Sequence, residues 1–172
     1  MAAPIEYVPS IAIDSVFDAI GTFLQPFVTP AQVIRAQVNR VAMPQGDFVE
    51  LTEISNVDLE YPRQWYDTTN LQRDIIGPKR LAIQADFYGD SAGDWCAVVK
   101  TAWRTAWAVS QFPYGIAPLY CDDGSESPLI TGEEQYKRRW TMMLQLQYNP
   151  ILVVPQQSAN VLKMNIVDDV TA

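Results

Sequence analysis

A chain of 172 residues has room for one domain with a real hydrophobic core, and its 48% apolar and 19% charged composition is that of a globular protein rather than a disordered one. Twelve basic residues against 20 acidic ones leave a net charge of −8, which disfavours a nucleic-acid binder that gains affinity by releasing phosphate counterions. The absence of histidine excludes Ser-His-Asp and Cys-His nucleophilic sites and His-containing zinc sites.

Ile13 to Phe27 reads as an amphipathic helix. Val16, Phe17, Ile20, Leu24 and Phe27 recur at helical spacing, Asp14, Asp18 and Gln25 fall between them, and Pro26 and Pro30 bracket its end. Val33–Val38 and Asp47–Val57 follow as strands, separated by a tight reversal through Met43-Pro44-Gln45-Gly46. Pro fixes one backbone angle of such a turn, and Gly tolerates angles that a Cβ disfavours. This holds Asn39 and Arg40 at the edge of the reversal, where Arg40 is a candidate donor for a salt bridge between subunits or within its own.

Asp58 to Pro78 is long for a plain loop, and Leu59, Tyr61, Trp65, Tyr66, Leu71, Ile75 and Ile76 make it too apolar for an idle excursion. It is either a protruding hairpin arm or an Ω-loop packed over the core. The arm reading makes Tyr61, Arg63, Trp65 and Tyr66 candidates for an inter-subunit interface, because aromatics and arginine are enriched there. Lys79–Gly89 then alternates strictly. Leu81, Ile83, Ala85 and Phe87 share one face and Arg80, Gln84, Asp86 and Tyr88 the other, as in an antiparallel strand with one wet side.

A second helix is expected from Ala92 to Ser110, opened by Ser91 and Asp94 as a variant capping box. Its apolar stripe comprises Ala92, Trp95, Cys96, Val99, Trp103 and Ala106, widened by Trp107. Phe112–Gly132 is rich in Pro, Gly, Asp and Ser and reads as surface loop. Arg138–Tyr148 alternates again, with Trp140, Met142, Leu144, Leu146 and Tyr148 on one face. Asn160–Val170 gives a last strand and a candidate exposed edge. The sum is a single α+β domain, a largely antiparallel β-sheet packed against two α-helices.

Chemistry is sparse. No GxGxxG or GxxxxGK[ST] pattern occurs, so neither dinucleotide nor P-loop phosphate binding is signalled. Cys96 and Cys121 read as free thiols and make a poor metal site. Asp122, Asp123 and Glu126 form the densest carboxylate cluster, without the ligand spacing of a calcium loop; on the residues alone it is a solvated acidic loop. Glu133, Glu134, Asp168 and Asp169 add further carboxylates, but nothing marks two in opposed environments. No catalytic, cofactor-binding or metal-binding residue is expected. The opening MAAPIEYVPS carries no secretory pattern, and no apolar run approaches the ~18 residues of a membrane helix.

Several stretches, in order, resemble the neck or tail-terminator proteins of tailed bacteriophages, especially contractile-tailed ones. They are Val33–Thr52, Pro118-Leu119-Tyr120-Cys121-Asp122-Asp123, Pro128-Leu129-Ile130-Thr131-Gly132-Glu133, Tyr136-Lys137-Arg138-Arg139-Trp140, Leu146-Gln147-Tyr148-Asn149-Pro150 and Val154-Pro155-Gln156-Gln157. The similarity runs from about Ile13 to Val167. It implies a structural virion protein at the tail–neck junction rather than an enzyme: a homo-oligomeric ring, six-fold in related terminators, that caps the tail tube. Implied partners are the tail tube protein, the head–tail connector protein and, as a further candidate, the sheath protein. Genomic DNA would pass through the channel without sequence-specific binding, and Asp122, Asp123 and Glu126 are candidates for a negative lumen rim. A head–tail connector or head-completion protein of the neck is the alternative within this class. A soluble module binding a small ligand is the alternative outside it.

Overall fold

The computed structural model describes residues 8–36, 44, 46–127, 129–130 and 136–156. In chain order the first half comprises α1 (Ile13–Val28), β1 (Gln32–Arg35), β2 (Phe48–Asp58), β3 (Arg63–Asp67), β4 (Gln72–Ile76) and β5 (Lys79–Tyr88). The second half comprises α2 (Ala92–Trp103), α3 (Ala106–Gln111), β6 (Ile116–Cys121), β7 (Ser125–Glu126), β8 (Leu129–Ile130), β9 (Tyr136–Lys137), β10 (Arg139–Tyr148) and β11 (Ile151–Pro155). The expected α+β class holds.

The main sheet has the order β1-β2-β5-β10-β6, with β7 also on β10. Its core face presents Val49, Leu51, Leu81, Ile83, Ala85, Phe87, Met142, Leu144 and Leu146, all buried. The alternation read along Lys79–Gly89 and Arg138–Tyr148 is what aims them at one side. Against that face lie α1, through Val16, Phe17, Ile20, Phe23, Leu24 and Val28, and α2, through Ala92, Cys96, Val99 and Trp103. Pro26 sits inside the last turn of α1 rather than marking its end. Burial of Val28 offsets the single N–H that the proline removes.

Four expectations need correction. First, Val33–Val38 and Asp47–Val57 do not form a hairpin. β1 runs parallel to β2, with Gln32 opposite Phe48 and Arg35 opposite Leu51, and a parallel pair cannot be closed by a tight turn. Residues 37–43 and 45 lie outside the described residues, and Arg40 with them, as do 131–135 and the proposed strand Asn160–Val170.

Second, the long helix is two. Thr105 takes an extended conformation (φ −111°, ψ 154°), its hydroxyl donates to the Ala102 carbonyl at 2.7 Å, and its Oγ accepts the Ala108 N–H at 3.2 Å. A threonine able to cap a new helix thus competes with continuation of the old one. Ala106 and Trp107 are consequently exposed rather than part of a buried stripe. Ser91 makes no side-chain cap hydrogen bond, so no capping box forms at the start of α2.

Third, Phe112–Gly132 is not loop throughout, because β6 runs through it and buries Ile116 and Cys121. Pro118 concealed the strand. It is tolerated because β6 is an outer strand, paired among the described residues with β10 alone.

Fourth, the second face of β5 is not wet. Asp86 and Tyr88 are 2% and 4% exposed, because Phe48 stacks on the Tyr88 ring at 4.4 Å from β2 while Arg139 and Thr141 close over Asp86 from β10.

The segment Asp58–Pro78 forms a hairpin, and the reason is visible across three strands. β2, β5 and β10 are neighbours in the main sheet, and β3, β4 and β11 are neighbours, in the same order, in a second sheet. The ladder passes from Asp58 opposite Lys79 to Arg63 opposite Ile76, and from Tyr148 opposite Lys79 to Ile151 opposite Ile76. At this junction stand Pro62, Pro78 and Pro150, one on each strand. None can donate to a ladder, so the sheet is interrupted and redirected there. The Gly77 N–H donates to the Pro150 carbonyl at 3.2 Å and the Leu59 N–H to the Pro78 carbonyl at 2.9 Å, which keeps the two sheets joined. The second sheet therefore continues the first as a three-stranded blade.

Candidate assembly surfaces

Among the described residues no cluster of His, Cys, Asp and Glu is arranged to hold a metal ion, and no helix is long and apolar enough to cross a membrane. Both cysteines are buried free thiols. Cys96 lies 3.7 Å from the Met142 sulfur, and burial pushes its pKa up to about 11; burial raises Cys121 as well. A thiolate is the reactive form, so both should resist alkylation in the folded protein. Iodoacetamide at pH 8 is expected to label neither thiol natively and both in urea, as read by mass spectrometry. Rapid native labelling would contradict the burial.

The carboxylates proposed for a lumen rim are largely neutralised. Asp123 pairs with Lys100, whose ammonium donates a hydrogen bond that holds the carboxyl below its ordinary range. Glu126 accepts from Arg138 Nε at 3.1 Å. Asp122 is anchored through its backbone N–H to the Met143 carbonyl at 3.0 Å. Three negative charges thus meet two positive ones, on an exposed ledge beside β7 and β10.

A stronger electrostatic centre, not anticipated from sequence, lies at Asp86. Its carboxylate accepts from Arg139 Nε at 3.1 Å and Nη2 at 2.9 Å, from Thr141 Oγ1 at 2.5 Å and from Gln84 Nε2 at 2.7 Å. Every lone pair is used, which is the condition for burying such a charge. Burial also pushes the neighbouring Tyr88 hydroxyl up to about 12. The arrangement welds β5 to β10; it offers no open position to a substrate. Cross-strand pairing, which brings Asp86 opposite Thr141, is the signal that could have found it.

The blade carries the interface candidates of the sequence. Tyr61 protrudes at the proline junction and is 94% exposed; Trp65 on β3 is 44% exposed. Arg63 pairs with Glu60 of its own chain. Tyr66 is half-buried, and its hydroxyl has no hydrogen-bond partner among the described residues. No residue of β3, β4 or β11 reaches full burial, although Ile75, Ile76, Ile151, Leu152, Val153 and Val154 are among them.

A second apolar surface was missed. Ala97, Val98, Thr101, Ala102, Thr105 and Trp107 line a shallow depression of about 520 Å³ on the outer side of α2 and α3. Val98 and Trp107 are about half exposed. Val98 is apolar off the buried stripe, and that was the available signal.

The sequence matches the family described as phage neck terminator protein over residues 14–170, and the chain belongs to that family. It is a structural protein of the phage neck and hence a virion component. A search of curated proteins found no match.

Proposed function

We propose that this chain assembles into a homo-oligomeric ring, six-fold by analogy with related terminators, that caps the tail tube and joins it to the head connector. The mechanism is geometric. Each subunit offers two different patches related by a rotation that closes, so the assembly stops at a ring instead of growing as a filament. The ring occupies the terminal interface of the tube and thereby ends its polymerisation. The sheath protein is a further partner at the same level.

The observation that supports the reading, beside family membership, is the blade: a three-stranded extension without a fully buried residue, on which Trp65 and Val153 stand exposed for a neighbouring protein to cover. The net charge of −8 suits a channel through which DNA slides without adhering. In this reading the Asp122–Glu126 ledge faces the lumen.

Removal of the gene product from an infection tests the proposal. Tails of uncontrolled length that fail to join heads are expected in negative-stain micrographs, with normal tails restored by supplying the chain in trans. Tails of normal length attached to heads would refute it.

A further inference from the structure

The ring reading leaves open which patch meets which, and the inference that follows rests on that reading. We propose that the blade of one copy docks on the α2–α3 depression of the next copy.

Four observations converge on a second copy as the occupant. Both surfaces expose apolar side chains on a single acidic chain, and they lie on different elements, which is what a heterologous, head-to-tail contact requires. On the blade, Trp65, Asp74 and Val153 form one cross-strand row and so share a face. Trp65 and Val153 are 44% and 43% exposed, flanking the half-buried Asp74.

The depression supplies the complement. Its lining is mostly small, with Ala97, Thr101, Ala102 and Thr105 beside the larger Val98 and Trp107. An aromatic anchor seated in such a pocket is the usual energetic centre of an interface.

Charge agrees with shape. Among the described residues Asp74 accepts one side-chain hydrogen bond, from the Gln72 amide at 3.2 Å, and Arg104 at the end of α2 is exposed and makes no salt bridge. Lys100 on the same helix is already paired with Asp123, which leaves Arg104 as the cation of this surface that makes no salt bridge among the described residues. Docking would seat Trp65 in the depression, with Asp74 of one copy against Arg104 of its neighbour. Like copies that repel through their net charge gain both apolar burial and one opposite-charge pair at this contact.

Thiol trapping in the full chain distinguishes this pairing from the ring itself. Val98→Cys combined with Val153→Cys, treated with a short bismaleimide, is expected to give a ladder of cross-linked species ending at one fixed subunit number. Either variant alone should stay monomeric, and an equimolar mixture of the two should stop at dimers. Adding Asp74→Arg should abolish the ladder, and Arg104→Asp on top of it should restore it.

If the double variant stays monomeric while an amine-reactive cross-linker still captures closed wild-type rings, the pairing is wrong and the ring stands. Dimers from a single variant would mean a two-fold contact and overturn the pairing. Failure of both reagents to capture any oligomer would overturn pairing and ring together.

Discussion

Trp103→Ala is expected to lower the unfolding free energy by about 3–5 kcal/mol, the range for deleting a large aromatic from a packed core. Trp103 is 1% exposed and stands edge-on to Phe23 at 5.5 Å and to Phe112 at 5.6 Å between ring centroids. Its indole N–H donates to the Gln145 carbonyl at 3.3 Å. One side chain thereby joins α1, the end of α2, the chain after α3 and the central strand β10. Truncation leaves a cavity bounded by rings that belong to different elements and cannot all collapse into it. Domains of this size have only about 5–15 kcal/mol of stability, so the loss is a large fraction. Urea unfolding followed by far-ultraviolet circular dichroism should show a much lower midpoint with an unchanged slope. A shift worth less than about 1 kcal/mol would mean that the aromatic cluster is not the joint of the fold.

The second large effect concerns Asp86 and Arg139, and its sign depends on how many partners are removed. Arg139→Met leaves a carboxylate that is 2% exposed with only Thr141 and Gln84 as donors, and should cost about 3–5 kcal/mol. Removing both charges with Asp86→Leu and Arg139→Met together should cost less than the Arg139 change alone, because no unpaired charge is then left buried. A double-mutant cycle from denaturant melts gives the coupling directly. A double variant as damaged as the sum of its singles would show that the two groups do not act as a pair.

The elements legible in the sequence were those whose periodicity is set by a single buried face. Val16 to Leu24 announce α1, Leu81 to Phe87 announce β5, and Trp140 to Tyr148 announce β10, because each alternates or recurs against one core. The elements that escaped lack that one-sided environment. β11, Ile151–Pro155, is short and apolar on both faces, with no residue fully buried, so no buried face marks a period. β6 carries a proline that only an outer strand can hold. The parallel partnership of β1 with β2 depends on a neighbour that hydropathy does not name.

The candidate surfaces were legible to a similar degree. Tyr61, Trp65 and the apolar character of 58–78 could be read directly, whereas the third strand of the blade could not, because it comes from beyond β10. The alignment of Pro62, Pro78 and Pro150 becomes visible only once the registers are known. The Asp122–Glu126 cluster looked like bare negative charge because Lys100 and Arg138 reach it from elements distant in sequence.

The most direct measurement is a cryo-electron microscopy reconstruction of the intact particle at the head–tail junction. Density for a closed ring of this chain between the last tube ring and the connector, with an open channel and each blade lying on its neighbour's helices, is the expected result. A junction built from other polypeptides, or one holding this chain as isolated copies with uncovered blades, would contradict it.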